Sequence, residues 1–197
     1  MSQAFPDHDV ADSERQALAL STQGASLEES LGELISAVES SSPGRVLGSI
    51  LLLDAQGKHL LHGAAPSLPA EYCHAIHGIA IGPTVGSCGA AAHGGHIIMV
   101  QDISTDPLWV DFRDLALSHG LRACWSAPIR SSRGAILGTF ALYHRVPTVP
   151  TVRDRQLVAR LSQTAAAIIE SSRAEGPSRA SPRHEHDVPP GARGKPS

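Results

Sequence analysis

The sequence predicts an α+β domain: a central antiparallel β-sheet with the terminal helices on one face and pocket-forming helices and loops on the other. Three observations carry this. Two pairs of apolar runs are each joined by a short glycine-containing turn, the mark of β-hairpins. Amphipathic segments that open with capping residues stand near both ends. Two excursions punctuated by glycine and proline separate the hairpins.

Residues 1–24 are acidic and polar and are expected to be partly disordered, although ERQALALSTQ suits a helix. The folded unit is expected over 25–172. It begins with SLEESLGELISAV, where Ser26 and Glu29 have capping-box spacing and Leu27, Leu31, Leu34, Ile35 and Val38 share one helical face. RVLGSILLLDAQGKHLLHGAA reads as a hairpin turning at Asp54–Gly57. A short helix around Pro69–Ile76, a glycine-rich segment and a strand HIIMVQD follow. TDPLWVDFRDLALSHG reads as a loop with a helical second half, and LRACWSAPIRSSRGAILGTFALYH as a second hairpin turning at Ser131–Gly134. Thr151 and Asp154 then cap a helix with Leu157, Val158, Leu161, Ala165, Ile168 and Ile169 on its apolar side. Residues 173–197 contain Val188 as their only large aliphatic side chain; a segment so poor in buriable surface does not offset its ordering entropy, and disorder is expected.

Composition narrows the functional classes. The 197 residues allow one ordinary domain with some excess, and a formal charge of −3 with a pI near 6.4 leaves no basic footprint for nucleic acid. No apolar run approaches the roughly 20 residues that span a bilayer, so a cytoplasmic protein without a membrane partner is expected. Cys73, Cys88 and Cys124 are odd in number and irregular in spacing, which suits reduced thiols.

The stretch IGPTVGSCGAAAHGG sets Cys88 on an unusually bare backbone. It lacks the Gly-Lys-Ser/Thr ending of a phosphate-binding loop. Glycine permits tight turns and alanine permits close packing, so the segment is read as a helix start that walls a pocket, with Cys88 facing the cavity or the core. CHAIH places Cys73 and His77 one helical turn apart, but no second ligand pair follows, and a solvated helix face is expected rather than a metal site. Aromatic residues make up only 4% of the chain. The grouping of Trp109, Phe112, Arg113, Arg122 and Trp125 therefore points to an aromatic-walled ligand site with arginine for an anionic group, or to a plain closing of the core.

The segments SILLLD, GAAPSLPAEY, IGPTVGSCGAAA, VQDISTDPLWVDFRDLALSHGLRACWSAPI and GAILGTFALYH together resemble a GAF domain, the small-molecule-sensing relative of the PAS fold, from about Leu27 to Ser172. The resemblance is to the bacterial signalling subfamily found beside PAS, histidine-kinase and diguanylate-cyclase modules. It implies a GAF/PAS-like sheet of five or six antiparallel strands, a pocket beneath the central excursions and terminal helices that pass a signal onward. No histidine-kinase phosphoacceptor or ATP-site pattern and no GGDEF signature is present. A stand-alone sensor, or a module acting in trans on a histidine kinase or diguanylate cyclase, is expected, working as a homodimer through Leu27–Ser40 and Thr151–Ser172.

Relatives with other chemistries supply alternatives. Free methionine-(R)-sulfoxide reductases carry a cysteine in a context like that of Cys88, but the segment of their nucleophile is DPLWVDFRD here, without cysteine. His119 lies near the position of the proximal histidine of haem-binding GAF sensors, but a helix-capping role beside Gly120 explains it without haem. No cysteine between Asp102 and Leu121 could attach a bilin, and the Asn-Lys-Phe-Asp-Glu-type signature of cyclic-nucleotide-binding relatives is absent. The expectation is a non-enzymatic sensor of a small-molecule ligand, with Cys88, Asp102, Trp109, Phe112, Arg113, His119, Arg122 and Trp125 as candidate ligand-binding residues and no cofactor assigned. A thiol reductase and a ligand-free dimerisation module are the alternatives.

Overall fold

Strands of this chain are apolar on both sides because both faces of the sheet are covered. In β5 (Ala123–Arg130) and β6 (Ile136–His144) nearly every residue is buried, as in β1 (Val46–Leu53). The computed structural model describes residues 7–41 and 45–174, so most of the tail expected to be disordered lies outside the described residues. The remaining elements are α1 (Asp7–Thr22), α2 (Leu27–Ser41), β2 (His59–Ala64), α3 (Ala70–Ile76), β3 (Ile79–Ala80), α4 (Gly86–Gly94), β4 (Ile98–Val100), a 3-10 turn (Pro107–Trp109), α5 (Arg113–Ser118) and α6 (Val152–Ala174). One six-stranded antiparallel sheet runs in the order β3-β2-β1-β6-β5-β4.

Local chemistry accounts for the boundaries. Ser26 N–H donates to Glu29 Oε2 at 2.8 Å and Glu29 N–H to Ser26 Oγ at 3.1 Å, which is the expected capping box. The first hairpin turns where Gly57 N–H donates to Asp54 O at 3.0 Å and Lys58 N–H to Asp54 Oδ1 at 2.8 Å. The second turns where Gly134 N–H donates to Ser131 O at 2.9 Å. In the middle of the sheet Gly138 stands between Leu52 and Ile129, and any Cβ there would overlap the Leu51 carbonyl oxygen. The β1–β6 pairing thus depends on a missing side chain.

Two apolar layers enclose the sheet. Val46, Ile50, Ala127, Ile129, Phe140 and Leu142 meet α1, α2 and α6 on one face. Leu47, Leu51, Cys124, Ala141 and Tyr143 meet α3, α4 and the 3-10 turn on the other. This is the layering that the sequence predicts.

Two expectations change. The helix for which ERQALALSTQ is suited begins earlier, at Asp7, and runs to Thr22, with Val10, Glu14, Ala17 and Ser21 buried along one face. Glu14 Oε1 accepts from Thr164 Oγ1 at 2.8 Å, and its Oε2 pairs with Arg160 Nε at 3.2 Å, so α1 is fastened to α6. The apolar sides of α2 and α6, expected to serve both sheet and partner, are spent within the protomer: Leu31, Leu34, Ile35, Ile168 and Ile169 are all fully buried. Ile168 and Ile169 are core residues, not a surface for a second copy.

Candidate functional site

α4 crosses β5 and β6 on the second face. Its sequence, GSCGAAAHG, brings no bulk to the interface, and Gly86 to Ala92 are all buried. Gly86 opens the helix at φ 54°, a left-handed conformation that side chains disfavour. The turn it makes delivers Ser87 and Cys88 directly onto the sheet.

Ser87 Oγ donates to Cys124 O of β5 at 3.2 Å and accepts from Trp109 Nε1 at 3.1 Å. The buried indole is fully satisfied by this bond and forms the wall of a cavity. Leu51, Tyr72, Ile76, Ile79, Val85, Cys88, Phe112 and Tyr143 complete the lining. The volume is about 20 Å³, against about 10–15 Å³ needed for one water. Half-buried Ile79, Val85 and Phe112 form the outer rim. The cavity is a narrow apolar slot rather than a metabolite pocket.

The polar atoms of the interior sit behind the slot. Tyr72 and Tyr143 meet edge to face with ring centroids 5.7 Å apart, and burial drives both phenols well above their usual pKa. Cys88 Sγ lies 3.9 Å from Tyr143 Oη, and Tyr143 is the cross-strand partner of Cys124. The neighbouring Cys124 thiol is the main influence holding the Cys88 thiol below its ordinary range, with burial opposing and the hydroxyls of Ser126, Tyr143 and Thr139 assisting; burial drives Cys124 upward.

The structure brings Cys88, Trp109 and Phe112 together at the cavity and distributes the other predicted residues elsewhere. Asp102 accepts from Ser104 N–H at 3.0 Å and Ser104 Oγ at 2.7 Å and pairs with Arg122 at 3.3 Å; Ser104, more than Arg122, lowers its carboxyl pKa. Arg113 donates to the carbonyls of Ile103 and Asp106 at 3.3 and 3.0 Å. These three build the loop that carries Trp109, and none lines the slot. His119 lies edge-on to Tyr72, 5.7 Å between centroids, and its N–H bonds back to Ala116 O at the end of α5, consistent with the capping account. Trp125 lies on the opposite face of the sheet, 4.1 Å from the ring of His144, because it is one residue out of phase with Cys124.

Sequence reasoning missed Tyr72, Tyr143 and Ser87. The alternation in FALYH opposite RACWS holds the signal for Tyr143, but only the register reveals it. Cys73, His74 and His77 line an open groove of about 590 Å³ with His62. His77 Nδ1 accepts from His62 N–H at 3.1 Å, and among the described residues no group of three or more His, Cys, Asp or Glu side chains could hold a metal.

The family model for the GAF domain matches residues 24–170. The chain belongs to the GAF domain family. A curated relative of this GAF domain, the methyl sulfide methyltransferase-associated sensor of Methanosarcina acetivorans, is 37% identical over 158 residues, covering 80% of this chain and 16% of the relative. The chain thus spans a minor part of that protein's length. Similar solved structures include the GAF domain of a phosphoenolpyruvate-protein phosphotransferase from Coxiella burnetii, with TM-score 0.68 and 17% identity over 85% of this chain and 96% of that one. Another is the free methionine-R-sulfoxide reductase from Neisseria meningitidis in complex with its substrate, with TM-score 0.67 and 17% identity over 88% and 98% of the two chains. Likeness at such identities is one of fold. Among the described residues no helix is long and apolar enough to cross a membrane.

Proposed function

We propose that this GAF domain is a non-catalytic sensory module in which a small, largely apolar ligand wedges open the slot behind Trp109. The observation that carries the reading is the chain Trp109 Nε1–Ser87 Oγ–Cys124 O. A ligand larger than water needs Trp109 and Phe112 to move outward, and the indole cannot move without pulling on Ser87 and, through it, on β5. The other side of β5 is packed by α6. Occupancy of the slot and the position of the terminal helix are therefore coupled, and the ligand shifts that equilibrium by the difference in its affinity for the two states.

The ligand class follows from the lining, which is aromatic and aliphatic with one thiol and a phenol. Arg113 and Arg122 are engaged in building the loop, which favours a neutral ligand over the anionic one that their presence in the sequence suggests. The output is a histidine kinase or diguanylate cyclase, or a second copy. The thiol-reductase alternative is disfavoured by burial: Cys88 is 5% exposed and Cys124 fully buried, whereas a nucleophile that turns over a substrate as large as methionine sulfoxide needs open access.

The test uses Trp125→Phe, which leaves Trp109 as the single emitter. Titration with benzene or toluene should shift Trp109 emission and, in amide NMR spectra, move resonances of α4, β5 and α6 together. Shifts confined to α3 and β2 would place the site in the outer groove, and no shift at all would end the ligand reading. Sustained turnover of free methionine sulfoxide with a thioredoxin reductant would replace it with the enzyme.

A further inference from the structure

Behind the apolar slot lies a group of buried hydroxyls without partners. Ser126 and Thr139 are fully buried, and neither Ser126 Oγ nor Thr139 Oγ1 has a hydrogen-bond partner. Leaving buried hydroxyls unpaired is costly. Both stand on the sheet face that carries Cys124 and Tyr143 and that α4 crosses; Cys88 Sγ lies 3.9 Å from Tyr143 Oη, and both hydroxyls help to hold the Cys88 thiol below its ordinary range. A neutral thiol is a weak acceptor; a thiolate is a strong one. Unspent donors converging on one sulfur are the surroundings that a thiolate requires.

Two further observations complete the site. The backbone beside Cys88 is already joined to Cys124, since Ser87 Oγ bonds Cys124 O at 3.2 Å, and each thiol influences the titration of the other. Cys88 also lines the slot, whose 20 Å³ admits a particle of about the size of water.

We propose that Cys88 and Cys124 form a buried dithiol that hydrogen peroxide converts to a disulfide, the slot serving as a size filter for the oxidant. The Cys88 thiolate attacks one peroxide oxygen, the O–O bond breaks, and the departing hydroxide takes a proton to leave as water. Cys88 is then a sulfenic acid. The Cys124 sulfur attacks the sulfenic sulfur, its thiol proton leaves with the sulfenic hydroxyl as a second water, and the S–S bond forms. Two thiols are oxidised, one peroxide is reduced to two waters, and an external dithiol reverses the change. The bond would staple α4 to β5 at the point where Trp109 is anchored.

The experiment uses the full chain carrying Cys73→Ser, so that only the buried pair can react. Hydrogen peroxide should give a product lighter by two hydrogens, mapped by non-reducing peptide mass analysis to a Cys88–Cys124 link and reversed by dithiothreitol. Cumene hydroperoxide, too large for the slot, should react at least about tenfold more slowly, and Ser126→Ala with Thr139→Val should slow the peroxide reaction several-fold. Adding Cys124→Ser should leave oxygen adducts on Cys88. Both thiols remaining free to alkylation after unfolding, or a link between chains, would overturn the proposal. Equal rates with both peroxides would overturn the size filter, and an unchanged rate in the hydroxyl double variant would overturn their role. Because the readout is mass rather than emission, these outcomes are independent of the ligand test.

Discussion

Trp109 and Cys124 are joined through a single hydroxyl: Ser87 Oγ accepts the indole N–H at 3.1 Å and donates to the Cys124 carbonyl at 3.2 Å. Ser87→Ala removes both bonds and strands a buried indole N–H. The variant should lose about 1–3 kcal/mol of stability in urea unfolding, and its Trp109 emission, read in a Trp125→Phe background, should change in the folded state. Stability within about 0.5 kcal/mol of the parent would mean that water or a shifted backbone replaces the hydroxyl.

His144 sets an acid limit. Burial pushes its imidazole down to about 4, against the opposing pull of Asp154. In the unfolded chain the same ring titrates near 6.5, so between those values the unfolded state binds more protons and stability falls with falling pH. The stabilisation is complete above about pH 6.5 and is lost toward pH 4, amounting to about 3 kcal/mol. Urea midpoints measured at pH 7, 5.5 and 4.5 should show this slope in the parent and a shallower one in His144→Asn. Equal slopes in the two proteins would assign the acid sensitivity to other groups.

Gly138→Ala should be among the most damaging single-methyl additions available. The added Cβ overlaps the Leu51 carbonyl oxygen, a backbone atom held in the β1–β6 ladder. A loss of about 3 kcal/mol or more is expected, with faster amide exchange in Ile50–Leu52. A mild effect would show that the two strands separate locally at little expense.

The clamp between α1 and α6 should be measurable as a coupling. Glu14→Ala and Arg160→Ala, alone and together, should give an interaction term of about 0.5–1 kcal/mol in a double-mutant cycle, reduced by the partial exposure of Arg160. Glu14→Ala should cost more than Arg160→Ala, because it also removes the shorter bond of Thr164 Oγ1 and leaves only the long one to the Arg160 carbonyl at 3.4 Å. The reverse order would point to contacts of Arg160 beyond Glu14.

What the sequence made legible follows from how locally each feature is determined. The hairpins at Asp54–Gly57 and Ser131–Gly134 and the capping box at Ser26 and Glu29 depend on neighbours a few residues away, and they were readable. The helical character of Glu14–Gln23 was readable, but the docking of α1 was not, because its buried face is Val10, Glu14, Ala17 and Ser21, two of them polar, and its partners Thr164 and Arg160 lie far along the chain. Trp125 was placed at the pocket because both faces of β5 are apolar, so composition could not say which way a residue points; only pairing with β6 does. Arg113 and Arg122 looked like ligand groups, whereas what they meet is the backbone of Ile103 and Asp106 and the carboxylate of Asp102, partners that no spacing rule announces.

The fastening of α1 to α6 has a mechanical meaning. Two helices gripping each other through Glu14 and lying on one side of the sheet behave as a single lever whose fulcrum is β5. Under the proposed coupling, a tilt that the sheet gives to α6 would reach α1 through Glu14, and the first and last helices of the described chain would report one movement rather than two.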